Sequence, residues 1–425
     1  MADMHAPDDG ALASSPLGEP LIDIEDAAPR AVGSSRWRQL LLAVSLILIA
    51  YNLRTVFASL STVLPDIMRE TGMTPSAASV LTTLPVLCLG LFSFPTPGLA
   101  RRHGAERVIL GCLVAITIGN ALRGLAVSPA LFFGSFLAGA GIAMINVLLP
   151  GLVKRDFPRN IAAMTGLYTM SLCGGAATAA AVTVPLAKVF GGWPLALAAS
   201  AVPVLVVLVL WLPQALAVRH DANAAGARVG SLLRNRLAWQ ITLFMGLQSA
   251  MAYIGFGWLS PMLRERGLDA VTAGLVLSVS IVIQMGSCLA APTLAMRGRD
   301  QRPVVLALCL ATMIGFVGCY AFPLGSVWLW SALLGVGQGG LLAVAMTIII
   351  LRAPDVHVAA KLSGMAQGFG YIIAATGPLL AGLVRDWSGS YRESTILFVA
   401  FGVAATLFGL AAGRDRLVDA GAARR

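Results

Sequence analysis

The chain has 425 residues, of which 57% are hydrophobic and only 12% charged, with a mean hydropathy of +0.82 and a formal net charge of +10. An average soluble domain is about 25% charged, so charges this sparse cannot coat a soluble surface of this size, although they suffice where most of the surface faces lipid. The positive balance does not indicate nucleic acid, because the basic residues sit in short clusters between apolar runs, as topology signals do.

Residues 1–35 hold seven acidic residues and no apolar h-region. They read as a disordered cytoplasmic tail, with no sign of a cleaved signal. Each bilayer crossing takes about 20 apolar residues. Runs of that kind follow at 39–62, 77–99, 107–127, 129–151, 161–187 and 193–213, and again at 236–262, 270–296, 303–323, 325–351, 361–384 and 393–412. They predict an all-α membrane protein of 12 transmembrane helices. The polar, Ala-rich stretch 214–235 is a cytoplasmic linker between a six-helix bundle at 36–213 and another at 236–413. Residues 414–425 form a second cytoplasmic tail.

Two local likenesses cross the linker. Arg101 to Arg107 follows span two as Arg297 to Arg302 follows span eight, and Met164-Thr165-Gly166 opens span five as Leu362-Ser363-Gly364 opens span eleven. Two pseudo-symmetric halves around a midplane site are a transporter architecture. Of the 30 basic residues, 22 fall on one face and 6 on the other, leaving Arg54 and Arg123 inside spans. The basic face holds both termini, so the positive-inside rule puts both in the cytoplasm.

The six cysteines lie inside apolar segments without CxxC spacing, and the four histidines lie in the tail or loops. No metal, no cofactor and no disulfide framework are expected. None of the 20 acidic residues falls mid-span; Asp66 and Asp386 come closest, at outer ends. This argues against an internal carboxylate proton switch.

Arg54 is the exception among the charges. It lies 14 residues past Gln39, about 21 Å along a helix and too deep to snorkel easily. A guanidinium without a counter-ion in a wet cavity favours an anion or a strong acceptor. The alternative is a structural arginine bonding the carbonyls of a neighbouring helix. Asn52 points elsewhere and reads as a helix–helix hydrogen bond. Arg123 ends span three and reads as a snorkelling or gating residue. Further polar candidates are Asn146, Tyr168, Gln248, Tyr253, Trp258, Gln284, Gln338, Gln367 and Tyr371. Gln248 and Trp258 come roughly 80° apart on a helical wheel and border one cavity, with Tyr253 less well aligned. Gln367 and Tyr371 share a face.

With a basic loop after span two, the chain resembles a major facilitator superfamily carrier. Its loop departs from the superfamily pattern: Pro97 replaces the first glycine, and Arg101 stands where an aspartate is usual, so that aspartate's charge-relay role does not carry over. Arg101, Arg102 and Arg107 are assigned to gating or structure. Seven stretches in order resemble the cyanate and 2-nitroimidazole transporter family. They are Asn52-Leu53-Arg54, Leu81-Thr82-Thr83-Leu84-Pro85, Asn146 through Pro150 to Lys154-Arg155-Asp156, and Thr165-Gly166-Leu167-Tyr168. The remainder are Gln248-Ser249 with Tyr253 and Trp258, Gly337-Gln338-Gly339-Gly340, and Met365 through Gln367 and Tyr371 to Pro378.

The resemblance implies a monomeric carrier of the inner membrane. It would move a small cyanate-like anion by alternating access, with a neutral heteroaromatic exporter as the alternative. A polytopic sensor or enzyme is the remote one, for want of a catalytic set or a sizeable soluble domain. Arg54 would anchor charge, with Asn146, Gln248, Gln338 and Gln367 hydrogen-bonding and Tyr168, Tyr253, Trp258 and Tyr371 lining the solute.

Overall fold

The computed structural model describes residues 36–157, 160–217, 232–354 and 356–418. The expected tail 1–35, most of the 214–235 linker and the end of the 414–425 tail lie outside them, as do Pro158 and Arg159. The described residues form fifteen α-helices. The N-terminal bundle contains α1 (Arg36–Asn52), α2 (Thr55–Thr71), α3 (Pro75–Leu91), α4 (Thr96–His103), α5 (Ala105–Leu122), α6 (Ser128–Asp156), α7 (Ile161–Val189), α8 (Trp193–Ala199) and α9 (Ala201–Ala217). The C-terminal bundle contains α10 (Arg236–Glu265), α11 (Ala270–Met296), α12 (Arg302–Ala321), α13 (Val327–Leu351), α14 (Val356–Ser388) and α15 (Tyr391–Ala412).

These helices make twelve crossings because three of them are broken: α1 with α2, α3 with α4, and α8 with α9. The α3–α4 pair bends by 62°. Ten crossings are long and apolar enough to be recognised by length and composition, and the bent pair makes eleven. The twelfth, α10, carries Thr242, Gln248, Ser249 and Ser260, all buried. It packs against α2, α13, α14 and α15. Shielded from lipid on most sides, it need not be apolar all round. Side-chain caps fix several starts: Thr74 accepts from the Ala77 amide, Asn235 from Ala238, Asp269 from Val271 and Thr272, and Ser390 from Arg392. Such caps satisfy amides that have no partner in the first helical turn.

The bundles meet through α3 on α14, α7 on α11 and α2 on α10. Glycine permits the close approach. A Cβ on Gly90 would come 2.9 Å from the Ile372 nitrogen, and one on Gly274 would come 2.5 Å from the Ala180 carbonyl oxygen.

The basic end of each bundle is tied by one arginine. After crossing four, Arg155 donates to Glu106 at 2.6 Å and to Asp156 at 2.9 Å. After crossing ten, Arg352 donates to Gln301, and to the carbonyls of Ala412 at 3.2 Å and Gly413 at 2.9 Å. The two halves thus place an arginine against the start of the preceding crossing, with carboxylates in one and mainly neutral acceptors in the other. Burial opposes the charged form of Arg155, but hydrogen bonds and charge from Asp156 and Glu106 outweigh it and raise its pKa.

Candidate functional site

The first crossing, expected as one helix over 39–62, is interrupted at Leu53 and Arg54. The break is tightened locally: the Leu53 amide donates to the Ala50 carbonyl at 3.1 Å, and the Thr55 hydroxyl to the Asn52 carbonyl at 2.9 Å. Asn52 does not make the expected bond to another helix. Its amide donates to Leu48, one turn back, at 2.9 Å, and its Oδ1 is buried without a partner.

Arg54 stands at the start of α2, half-buried. Among the described residues it makes no hydrogen bond and no ion pair, so it does not bond the carbonyls of a neighbouring helix. Its guanidinium carbon lies 5.8 Å from the Phe256 ring centroid. Tyr253 on α10, Tyr371 on α14, Cys173 on α7 and Cys288 on α11 lie around it. Both bundles therefore converge on this guanidinium. Tyr253 centres the aromatic part, with ring centroids 5.3 Å from Phe57, 6.2 Å from Phe256 and 6.3 Å from Tyr371.

Toward the far end of α2 the path is shut. Phe57, Thr82, Pro85, Tyr253 and Phe256 enclose a void of about 10 Å³, room for one water at most. Beyond it the Ser61 hydroxyl donates to the Gly257 carbonyl at 3.2 Å. Arg264 then grips Asp66 with two bonds of 2.7 and 2.9 Å and also donates to the Thr62 carbonyl at 3.1 Å. Ser76 donates to Asp386. Among the described residues, every hydrogen bond joining the bundles lies on this side. At the basic end they meet through rings, with Phe94 and Phe369 centroids 5.5 Å apart.

The remaining candidates fall into two groups. Asn146 on α6 is half-buried and, among the described residues, has no hydrogen-bond partner. Tyr168 is half-buried and lies in the neighbourhood of Tyr371. The others already have protein partners. Gln248 is buried and donates to Met245 and Ser249 on its own helix. Gln338 accepts from Gln284 at 3.0 Å and donates to the Met251 carbonyl at 3.3 Å, linking α13, α11 and α10. Gln367 donates to Ser363 at 2.9 Å. Trp258 donates to the Pro378 carbonyl at 3.1 Å and pins α10 to α14. Tyr253 lies near the guanidinium, while the polar groups of Gln248 and Trp258 are taken by protein partners.

Arg123 does not snorkel. It is 0% exposed, with long bonds of 3.5 Å to Asn120 and to the Val56 carbonyl. Arg101, Arg102 and Arg107 are exposed at the basic end. Sequence reasoning did not single out Phe57, Phe256, Cys173 or Cys288. Phe57 and Phe256 lie three residues after Arg54 and Tyr253, one turn along the same faces, and that spacing is the signal that could have found them.

Residues 40–378 match the family model of the Major Facilitator Superfamily. The chain is 36% identical to the 2-nitroimidazole transporter of Escherichia coli (strain K12), over 89% of this chain and 96% of that one. It is 29% identical to the cyanate transport protein CynX of the same organism, over 81% of this chain and 90% of that one. A crystal structure of a bacterial homolog to the human lysosomal transporter Spinster, inward-facing and occupied, superposes with a TM-score of 0.74 at 15% identity, covering 89% of this chain and 97% of that one.

Proposed function

This chain belongs to the major facilitator superfamily of transporters, and we propose that its solute is a small anion of cyanate type, held by Arg54. Arg54 carries this reading: it is a mid-span cation with no carboxylate or carbonyl partner among the described residues. A desolvated charge without a partner is costly, and an anionic solute removes that cost when it binds. The guanidinium presents several N–H donors around one positive charge, so the terminal atom of a compact anion can accept charge-assisted hydrogen bonds from it. The start of α2 has no side-chain cap, so the positive helix end adds to the same field. Asn146 is the neutral group best able to donate to the solute. The named substrates of the two Escherichia coli relatives, cyanate and a nitroimidazole, are both small.

A second reading, export of a neutral heteroaromatic, is favoured by the rings of Tyr253, Phe256 and Tyr371 around Arg54. These would stack on a flat solute.

Transport proceeds by alternating access, with the Asp66–Arg264 side closed in the state described. The basic end faces the cytoplasm, both termini lie there, and the membrane is the cytoplasmic one. The solute passes unchanged, and one chain is the transport unit.

The test is uptake of labelled cyanate into proteoliposomes by wild type and Arg54→Gln, with thermal unfolding of both in detergent. Arg54→Gln unfolds at or above the wild-type temperature and takes up cyanate at the rate of empty liposomes. Wild-type uptake by the variant would overturn the anion reading. A thermal shift with nitroimidazoles but not with anions would favour the second.

A further inference from the structure

A second cavity, of about 520 Å³, lies away from Arg54, on the flank of the N-terminal bundle between α4, α5 and α6. Its mouth carries Arg102, His103 and Arg107, and its wall includes Gly111 and Ala115 of α5 and Ala140 of α6. From Arg107 to Ala115 the wall runs about 12 Å along α5, from the polar boundary into the apolar zone. The same helices expose Val114, Ile118 and Phe133, so this flank faces lipid tails.

Two features suit the groove to an amphiphile. Its mouth is positive only, because the nearest acid, Glu106, is buried and turned onto Arg155 at 2.6 Å. Its wall is hollow by composition: a Cβ at Gly111 would meet nothing within 4 Å, whereas one at Gly141 would strike the Cys112 carbonyl at 2.7 Å. Gly141 thus serves helix packing, and Gly111 leaves room. Basic pockets between transmembrane helices bind anionic headgroups.

We propose that this groove binds one anionic phospholipid, its phosphate between Arg102 and Arg107 and one acyl chain over Gly111 and Ala115. The site is independent of the solute assigned to Arg54.

The full chain in neutral detergent is titrated with phosphatidylglycerol and, separately, with phosphatidylcholine of the same chains, and bound lipid is counted by native mass spectrometry. Wild type retains one phosphatidylglycerol, preferred about tenfold over phosphatidylcholine. In the double variant Arg102→Gln/Arg107→Gln, whose side chains are exposed, the two lipids bind equally. Gly111→Leu fills the open space and loses both lipids while eluting as wild type on size exclusion. The proposal is overturned if wild type shows no preference, if the preference survives in the double variant, or if Gly111→Leu keeps its lipid. It is equally overturned if Gly111→Leu changes the oligomeric state, which would make the occupant a second copy of the chain.

Discussion

Arg54 and Arg123 lie in the same bundle, on the first and third crossings, and among the described residues neither makes an ion pair. Arg123 is closed in on every side, 0% exposed, with its two long bonds directed at Asn120 and the Val56 carbonyl and its Nε unpaired. Arg54 is half-buried at a helix break, bonded to nothing among the described residues, and flanked by rings and thiols from both bundles. The first cation is part of the packing of one bundle. The second stands at the seam between two bodies that move relative to each other in alternating access. On the proposed reading, the sequence position of a charge inside a crossing does not by itself separate a structural arginine from a solute-binding one. What distinguishes them is whether the protein itself answers the charge.

Substitution separates the two roles. Arg54→Gln removes the charge offered to the solute and nothing that the fold uses. Uptake of the anion falls at least 100-fold, in line with losing a buried charge pair, and the unfolding temperature does not fall, because the charge removed was a cost to the fold. Arg123→Ala does the reverse. It opens a cavity against Gly134 and removes one donor each from the Asn120 side chain and the Val56 carbonyl. Stability falls by about 2–4 kcal/mol, and transport per folded molecule stays near wild type. Thermal denaturation paired with flux checks both; a transport-dead but stable Arg123→Ala would break the comparison.

The seam can be probed without touching Arg54. Asp66 and Arg264 are partly exposed, at 22% and 17% of their side-chain surface, so their pair contributes about 1 kcal/mol or less. Asp66→Asn weakens it and shifts the population toward opening on that side. Cys288, which lies within reach of the Arg54 charge, then reacts with an impermeant maleimide from that side about threefold faster. An unchanged labelling rate would mean that the aromatic plug of Phe57, Tyr253 and Phe256 holds the closure by itself.

The twelve crossings were legible because lipid imposes a length and a polarity on each run. Even α10 could be read, since its flanking charges at Arg236 and Arg264 mark both ends. The break at Leu53-Arg54 could not: it contains no proline or glycine, and the tertiary setting imposes it. Arg54 was legible as a lone mid-span charge. The partners of Gln248, Gln338 and Trp258 were not, because a helical wheel gives the angle between side chains on one helix and says nothing of which neighbour each angle meets. Phe57 and Phe256 stayed hidden for a plainer reason, since an aromatic residue in an apolar run carries no contrast. Arg123 looked like a snorkelling residue from its place near a span end, but α5 ends against α8 and α6, inside the bundle.

Arg302 completes the series as an arginine with both water and a partner. Asp300 receives its Nε at 3.0 Å and its Nη2 at 2.6 Å, and also accepts from the Arg302 amide at 3.0 Å, at the start of α12. The Arg302 side chain holds the Asp300 carboxyl down at about 2, below the ordinary value near 3.9. A carboxylate depressed in the fold contributes stability that is present above its unfolded pKa and is lost as pH falls through the folded one. The window is therefore about pH 4 down to about pH 2. Because both side chains are solvent-exposed, the effect is the smallest of the set. Asp300→Asn unfolds less than about 2 °C below wild type at neutral pH. The gap narrows as the pH is lowered and closes below about pH 2, once the wild-type carboxyl is itself protonated. Unfolding temperature measured against pH for both chains checks this; a gap that stays at its neutral-pH size down to about pH 2 would mean that the asparagine disturbs the start of α12 by some route other than charge.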